Sequence, residues 1–133
     1  MNKEMIGLAM LEVKASGLKL SEDEKQFVIF YAYKMNDMAQ VKLLLKEMEH
    51  ASEPGEMDDI FRRYSKQMNL RGGIEHLAEN LLVYIERYRI EQENAIGYLA
   101  NTLRVNGISI SEEEIRQTEM VQMKEKIMKE ASR

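Results

Sequence analysis

The chain has 133 residues, 44% hydrophobic and 32% charged, with a formal net charge of −4, one proline and no cysteine. That is one domain's worth of sequence, too apolar for a disordered chain, and its acidic balance argues against duplex DNA as the default ligand, because such binding is largely phosphate neutralisation. Without cysteine there are no disulfides, no thiolate nucleophile and no zinc-thiolate site.

Residues 1–13 carry mixed charges rather than a basic cap ahead of a long apolar run, so no export signal is expected. The longest apolar runs, 27–33 and 81–85, fall far short of the roughly 20 residues that span a bilayer. The expectation is a cytoplasmic chain that does not enter membranes, folded over 1–133 as a single all-α domain of five or six helices.

In chain order, the first helix is predicted over 3–15, with Ile6, Ala9, Met10 and Val13 at three-four spacing and a stop at Ser16-Gly17. Ser21 and Glu24 then form a capping-box signature. The run 27–33 is aromatic and β-branched, yet the cap and the lack of alternation make it helix rather than strand. Asn36 or Asp37 caps a third helix whose apolar face is Met38, Val41, Leu44, Leu45 and Met48. Ser52-Glu53-Pro54-Gly55 holds the only proline and is the candidate hinge. A fourth helix over 56–68 buries Met57, Ile60, Phe61 and Tyr64.

The organising stretch is 73–106, where Ile74, Leu77, Ala78, Leu81, Leu82, Ile85, Tyr88, Ala95, Ile96, Leu99 and Leu103 recur three or four apart. Read as one rod it would be roughly 50 Å long, so shorter helices should pack along it. Gly97 marks a bend or a close contact within it. Asn106-Gly107 ends the rod, Ile108-Ser109-Ile110 is an extended connector, and Ser111 with an acidic first turn opens a last helix towards Ala131. The segments 17–24 and 107–114 share one grammar: glycine stop, apolar-polar-apolar bridge, serine cap, acidic turn.

Three constellations bear on chemistry. Glu47-x-x-His50 would aim a carboxylate and an imidazole the same way on a helix, as di-iron bundles require, but His76 has Gly73 rather than a glutamate three residues before it, so no second copy exists and no metal is predicted. Arg62, Arg63, Lys66 and Arg71 crowd one junction, and all eight arginines lie after residue 60. This cluster would serve a helical nucleic-acid-binding regulator. Finally, Arg71-Gly72-Gly73-Ile74-Glu75-His76 resembles the Arg-x4-His motif of the HEPN ribonucleases. The resemblance implies RNA cleavage, with His76 as the acid-base group and Arg71 stabilising phosphorane charge.

Eleven methionines include Met120, Met123 and Met128, which with Ile115, Val121 and Ile127 give the last helix an adaptable apolar side. That side suits a groove on another protein, or closes the bundle. At the glycine stops the chain also resembles VbhA-type antitoxins, helical inhibitors of Fic-domain enzymes, whose inhibitory helix carries Ser/Thr-x-x-x-Glu-Gly/Asn. Thr102-Leu103-Arg104-Val105-Asn106-Gly107 follows that pattern with Asn106 at the glutamate position, and Glu12 to Gly17 keeps only the glycine. An asparagine cannot replace a carboxylate opposite a guanidinium at equal strength, so the resemblance implies a small partner-binding regulator rather than that particular lock.

The expected function is therefore a non-catalytic, cofactor-free protein-binding regulator of antitoxin, immunity or inhibitor type. Its partner-binding residues would be Met120, Met123, Ile127, Thr102, Asn106 and Gly107, its partner a toxin or enzyme, with a homodimer as a separate expectation. The ribonuclease and the nucleic-acid binder are the alternatives.

Overall fold

A computed structural model describes residues 2–69, 73–87 and 92–132, and all regular structure among them is α-helical. The helices are α1 (Asn2–Ser16), α2 (Glu22–Met35), α3 (Met38–His50), α4 (Pro54–Met68), α5 (Gly73–Arg87), α6 (Gln92–Val105), α7 (Glu112–Gln117) and α8 (Met120–Ala131). The chain divides into two compact units, Met1–Met68 and Asn69–Arg133. The candidate hinge at 52–55 lies inside the first unit, as the short link from α3 into α4.

The first unit is built on α2, which packs against α1, α3 and α4. Six consecutive residues, Phe27 to Ala32, are buried, so this helix is enclosed on all sides. That is why its sequence lacks an amphipathic stripe and could be mistaken for a buried strand. Phe27 lies against Phe61 with ring centroids 4.4 Å apart, and Tyr31 meets Tyr64 edge-on at 5.0 Å. Burying each such ring contributes about 1.5–3 kcal/mol.

Local chemistry sets the helix ends. The Ser21 hydroxyl accepts from the Glu24 amide at 3.2 Å and the Glu24 carboxylate accepts from the Ser21 amide at 2.7 Å, the reciprocal pair predicted for this start. Asn36 takes a left-handed conformation (φ 53°) to end α2. Asp37, of the two candidates, caps α3 by accepting from the amides of Ala39 and Gln40.

On α1 the buried face differs from the expected one. Met5, Ala9 and Val13 face inward, whereas Met10 is exposed, as are Leu8 and Leu11. Apolar residues occur all round this helix, so periodicity alone selects no face; the buried stripe is Met5, Ala9 and Val13, one residue every four, with small Ala9 fully buried at its centre.

In the second unit α5 packs on α8, and α6 on α7. Leu77, Ala78, Leu81, Leu82 and Ile85 are buried on α5, and Ala95, Ile96, Leu99 and Leu103 on α6, which runs through Gly97. These are nine of the eleven residues of the expected stripe; the side chain of Ile74 lies outside the described residues. Tyr88, and with it the question of one continuous rod over 73–106, lies outside the described residues.

The last helix is not continuous. Thr118 (φ −110°, ψ 130°) ends α7 and Glu119, also extended, precedes α8, in place of the single helix expected from Ser111 onward. The Thr118 hydroxyl donates to the Glu114 carbonyl at 2.6 Å, which satisfies the helix end from the side chain. Ser111 caps α7 through the Glu114 amide at 3.1 Å, while the Glu114 carboxylate turns to Lys126 at 3.0 Å. Among the described residues no helix is long and apolar enough to cross a membrane.

Candidate functional site between α3 and α4

An open groove runs between α3 and α4 within the first unit, with Leu43 and Ile60 among its apolar lining and Lys46, His50 and Glu53 among its polar lining. Leu43 is 49% exposed, although Val41, Leu44, Leu45 and Met48 of the same helix are buried. The helix positions it there because Val41, Leu44, Leu45 and Met48 occupy the buried stripe, leaving Leu43 on the flank shared with Glu47 and His50.

One wall of the groove is a closed polar network. Glu47 accepts a hydrogen bond from the Tyr64 hydroxyl and another from Arg63 Nη2 at 2.9 Å. Arg63 Nε donates to Asp59 at 3.1 Å, and the guanidinium lies 6.0 Å from the centre of the Tyr64 ring. Behind Tyr64, the Tyr31 hydroxyl donates to Gln67 Oε1. Three helices are tied together at this point.

The electrostatics follow from those contacts. The hydrogen bond from Tyr64 and the bonds and charge of Arg63 hold the Glu47 carboxyl below the usual carboxylate range. Burial and the adjoining Glu47 push the Tyr64 phenol above its ordinary value. Burial, with the field of Asp37, pushes Tyr31 up to about 12. A general acid-base group works best with a proton affinity near the working pH, and both Glu47 and Tyr64 are moved away from it. Glu47 is a fixed anionic acceptor and Tyr64 a fixed donor, so this arrangement braces the groove rather than shuttling protons.

The Glu47-x-x-His50 pair is thus separated in role. Glu47 is committed to α4, and His50 is exposed at the groove. Among the described residues no group of three or more histidines, aspartates or glutamates could hold a metal ion.

The remaining sequence-predicted residues fall as follows. Arg62 and Arg63 are exposed but both pair with Asp59, at 3.6 and 3.1 Å, so local carboxylates offset much of the positive charge; Lys66 is exposed. Arg71 lies outside the described residues, so the spacing from it to His76, exposed in the first turn of α5, has no measured geometry. Met123 and Ile127 are buried in the second unit and Thr102 is buried on α6, so none of the three is available on an open face. The side chain of Met120 lies outside the described residues. Asn106 is half-buried and its amide donates to the Thr102 carbonyl at 2.8 Å; Gly107 is exposed. Glu12, the first residue of the other antitoxin-like segment, pairs with Lys42 at 3.9 Å.

Sequence reasoning missed Leu43, Asp59 and Tyr64 as parts of a site. Leu43 carried a readable signal, an apolar residue off the buried stripe of its helix; the polar partners carried none, since Glu47 meets residues sixteen and seventeen positions away. No protein-family model, curated protein or solved structure matches this chain.

Proposed function

We propose that the chain is a non-catalytic, cytoplasmic protein-binding regulator that receives a segment of its partner in the α3–α4 groove. The observation that carries this reading is Leu43, half-exposed in an open groove whose ionisable wall is already consumed by its own contacts. An apolar anchor point flanked by Lys46, His50 and Glu53 suits an amphipathic helix, which contributes apolar residues to the floor and charges to the rim. An antitoxin, immunity or inhibitor role is its most concrete form, with a toxin or enzyme as the partner, and the acidic net charge favours a basic one.

The test is capture from the native host with the wild-type chain and with Leu43→Glu. A partner retained by the first and lost by the second supports the reading. A partner set indifferent to Leu43→Glu, or no protein partner at all, overturns it.

A further inference from the structure

Asn106 and Gly107, where α6 ends, form the one Asn-Gly pair in the sequence. Such a pair is chemically labile, because the glycine nitrogen, with no side chain to shield it, can attack the amide carbon of the asparagine. The attack forms a bond from Gly107 N to Asn106 Cγ, the backbone proton is lost, and Nδ2 leaves as ammonia. Water then opens the succinimide at either carbonyl and leaves aspartate or isoaspartate at position 106. Water is the only co-reactant.

In the folded chain both reacting groups are engaged elsewhere. The Gly107 amide donates to Arg104 O at 3.0 Å, which occupies the proton that must be lost. Asn106 donates its backbone amide to Leu103 O at 3.1 Å and its Nδ2 to Thr102 O at 2.8 Å, so the leaving group is tied back along α6. The Ile108 amide, donating to Leu103 O at 2.9 Å, closes the turn, and Leu103 and Ile108 are both buried. Attack therefore requires the end of the helix to open. Opening a helix end takes less free energy than unfolding the whole chain.

Neither product can rebuild this end. Aspartate has no hydrogen to give to Thr102 O, and its charge stands at the negative, carboxy-terminal end of the helix. Isoaspartate carries the main chain through Cβ and Cγ, which inserts a methylene into the loop closed by the Ile108 amide. We propose that Asn106-Gly107 is a spontaneous modification site gated by the end of α6: it reacts from the opened terminus, and its products disfavour closure. The site lies in the second unit and does not depend on the groove reading.

Mass-spectrometric peptide mapping of the full chain tests this, after incubation at physiological temperature in mildly alkaline buffer, native and in unfolding guanidinium chloride. The native rate at residue 106 should be at least about tenfold below the unfolded rate, the ratio set by about 1.4 kcal/mol of opening. Ile108→Val trims the residue that closes the turn, so it should raise the native rate about twofold or more and leave the unfolded rate unchanged. Asn106→Asp, a mimic of one product, should unfold at lower denaturant concentration than wild type, with circular dichroism confirming that each variant is helical. Equal native and unfolded rates, a native rate indifferent to Ile108→Val, or an Asn106→Asp chain as resistant as wild type would overturn the proposal.

Discussion

Tyr64 on α4 donates its hydroxyl hydrogen to the carboxylate of Glu47 on α3, joining two helices across seventeen positions of sequence. Tyr64 is buried and stacks edge-on with Tyr31 of α2, so a single phenol sits where three helices meet. Removing its hydroxyl leaves the ring packing intact and takes one donor from an ionised acceptor. Tyr64→Phe should therefore lower stability by about 1–2 kcal/mol, with an unchanged dependence on urea concentration. A double-mutant cycle with Glu47→Gln should return a coupling of about 1 kcal/mol; additive effects would show that the two residues do not act through each other.

Acid should weaken the same joint. Glu47 has a carboxyl held below its ordinary value of 4.5, chiefly by the Tyr64 hydrogen bond. A carboxyl with a lowered folded pKa contributes stability that is complete above the unfolded value and is lost as pH falls through the folded one. The stability advantage of wild type over Glu47→Gln should thus be constant near neutrality and shrink on acidification from about pH 4.5 downward. Urea denaturation at a series of pH values reads this directly, and a difference independent of pH would remove Glu47 from the account.

Alkali acts on the other partner with the opposite sign. Tyr31 is pushed from its ordinary value of 10.0 up to about 12 by burial, and Tyr64 is raised as well. A folded pKa above the unfolded one gives stability that is full below pH 10 and drains away as pH rises towards the folded value. Part of the tyrosinate absorbance should accordingly appear together with loss of helical ellipticity above pH 10. Tyr31→Phe should remove part of that late component while leaving the early titration of the other tyrosines in place.

How far these features could be read from sequence depends on whether the information was local. Ser21 with Glu24, Asp37, and the glycine stops are cues spanning a few residues, and each sits where its chemistry places it. Faces were legible where apolar residues formed one stripe, as on α3, and not on α1, where Leu8, Met10 and Leu11 crowd the opposite side. The break at Thr118–Glu119 uses neither glycine nor proline, only two extended residues and a hydroxyl, so nothing in composition marks it. The Glu47 network was illegible because its partners belong to another helix, and the Glu-x-x-His spacing, which lacks the second copy a metal site needs, names no partner for the carboxylate.

Gly107 illustrates a residue with a functional resemblance and a structural task. Its φ is 84°, its amide donates to Arg104 O at 3.0 Å, and the Ile108 amide donates to Leu103 O at 2.9 Å, the paired bonds of a left-handed helix terminus. No atom lies within 4 Å of an added Cβ, so the cost of a side chain is backbone strain alone. Gly107→Ala should destabilise by about 1–2 kcal/mol, and Gly107→Asn by less, because asparagine tolerates this conformation better. Equal losses for both would point to a steric or binding role for the position.

The methionine-rich last helix offers a direct test of packing against docking. Met123 and Ile127 are buried on α8, which packs on α5 and is held there also by Lys124 to Glu79 at 2.9 Å. Met128, one residue further round, is 40% exposed. If α8 closes the second unit, Ile127→Ala should cost about 2–5 kcal/mol through the cavity it leaves, and Met128→Ala should stay within about 0.5 kcal/mol. If α8 instead detaches to grip a partner, Ile127→Ala would change binding more than stability. Thermal unfolding of both variants separates the cases: a steep loss for Ile127→Ala with none for Met128→Ala fixes α8 as core, because only a side chain already removed from water in the free protein can destabilise it when truncated.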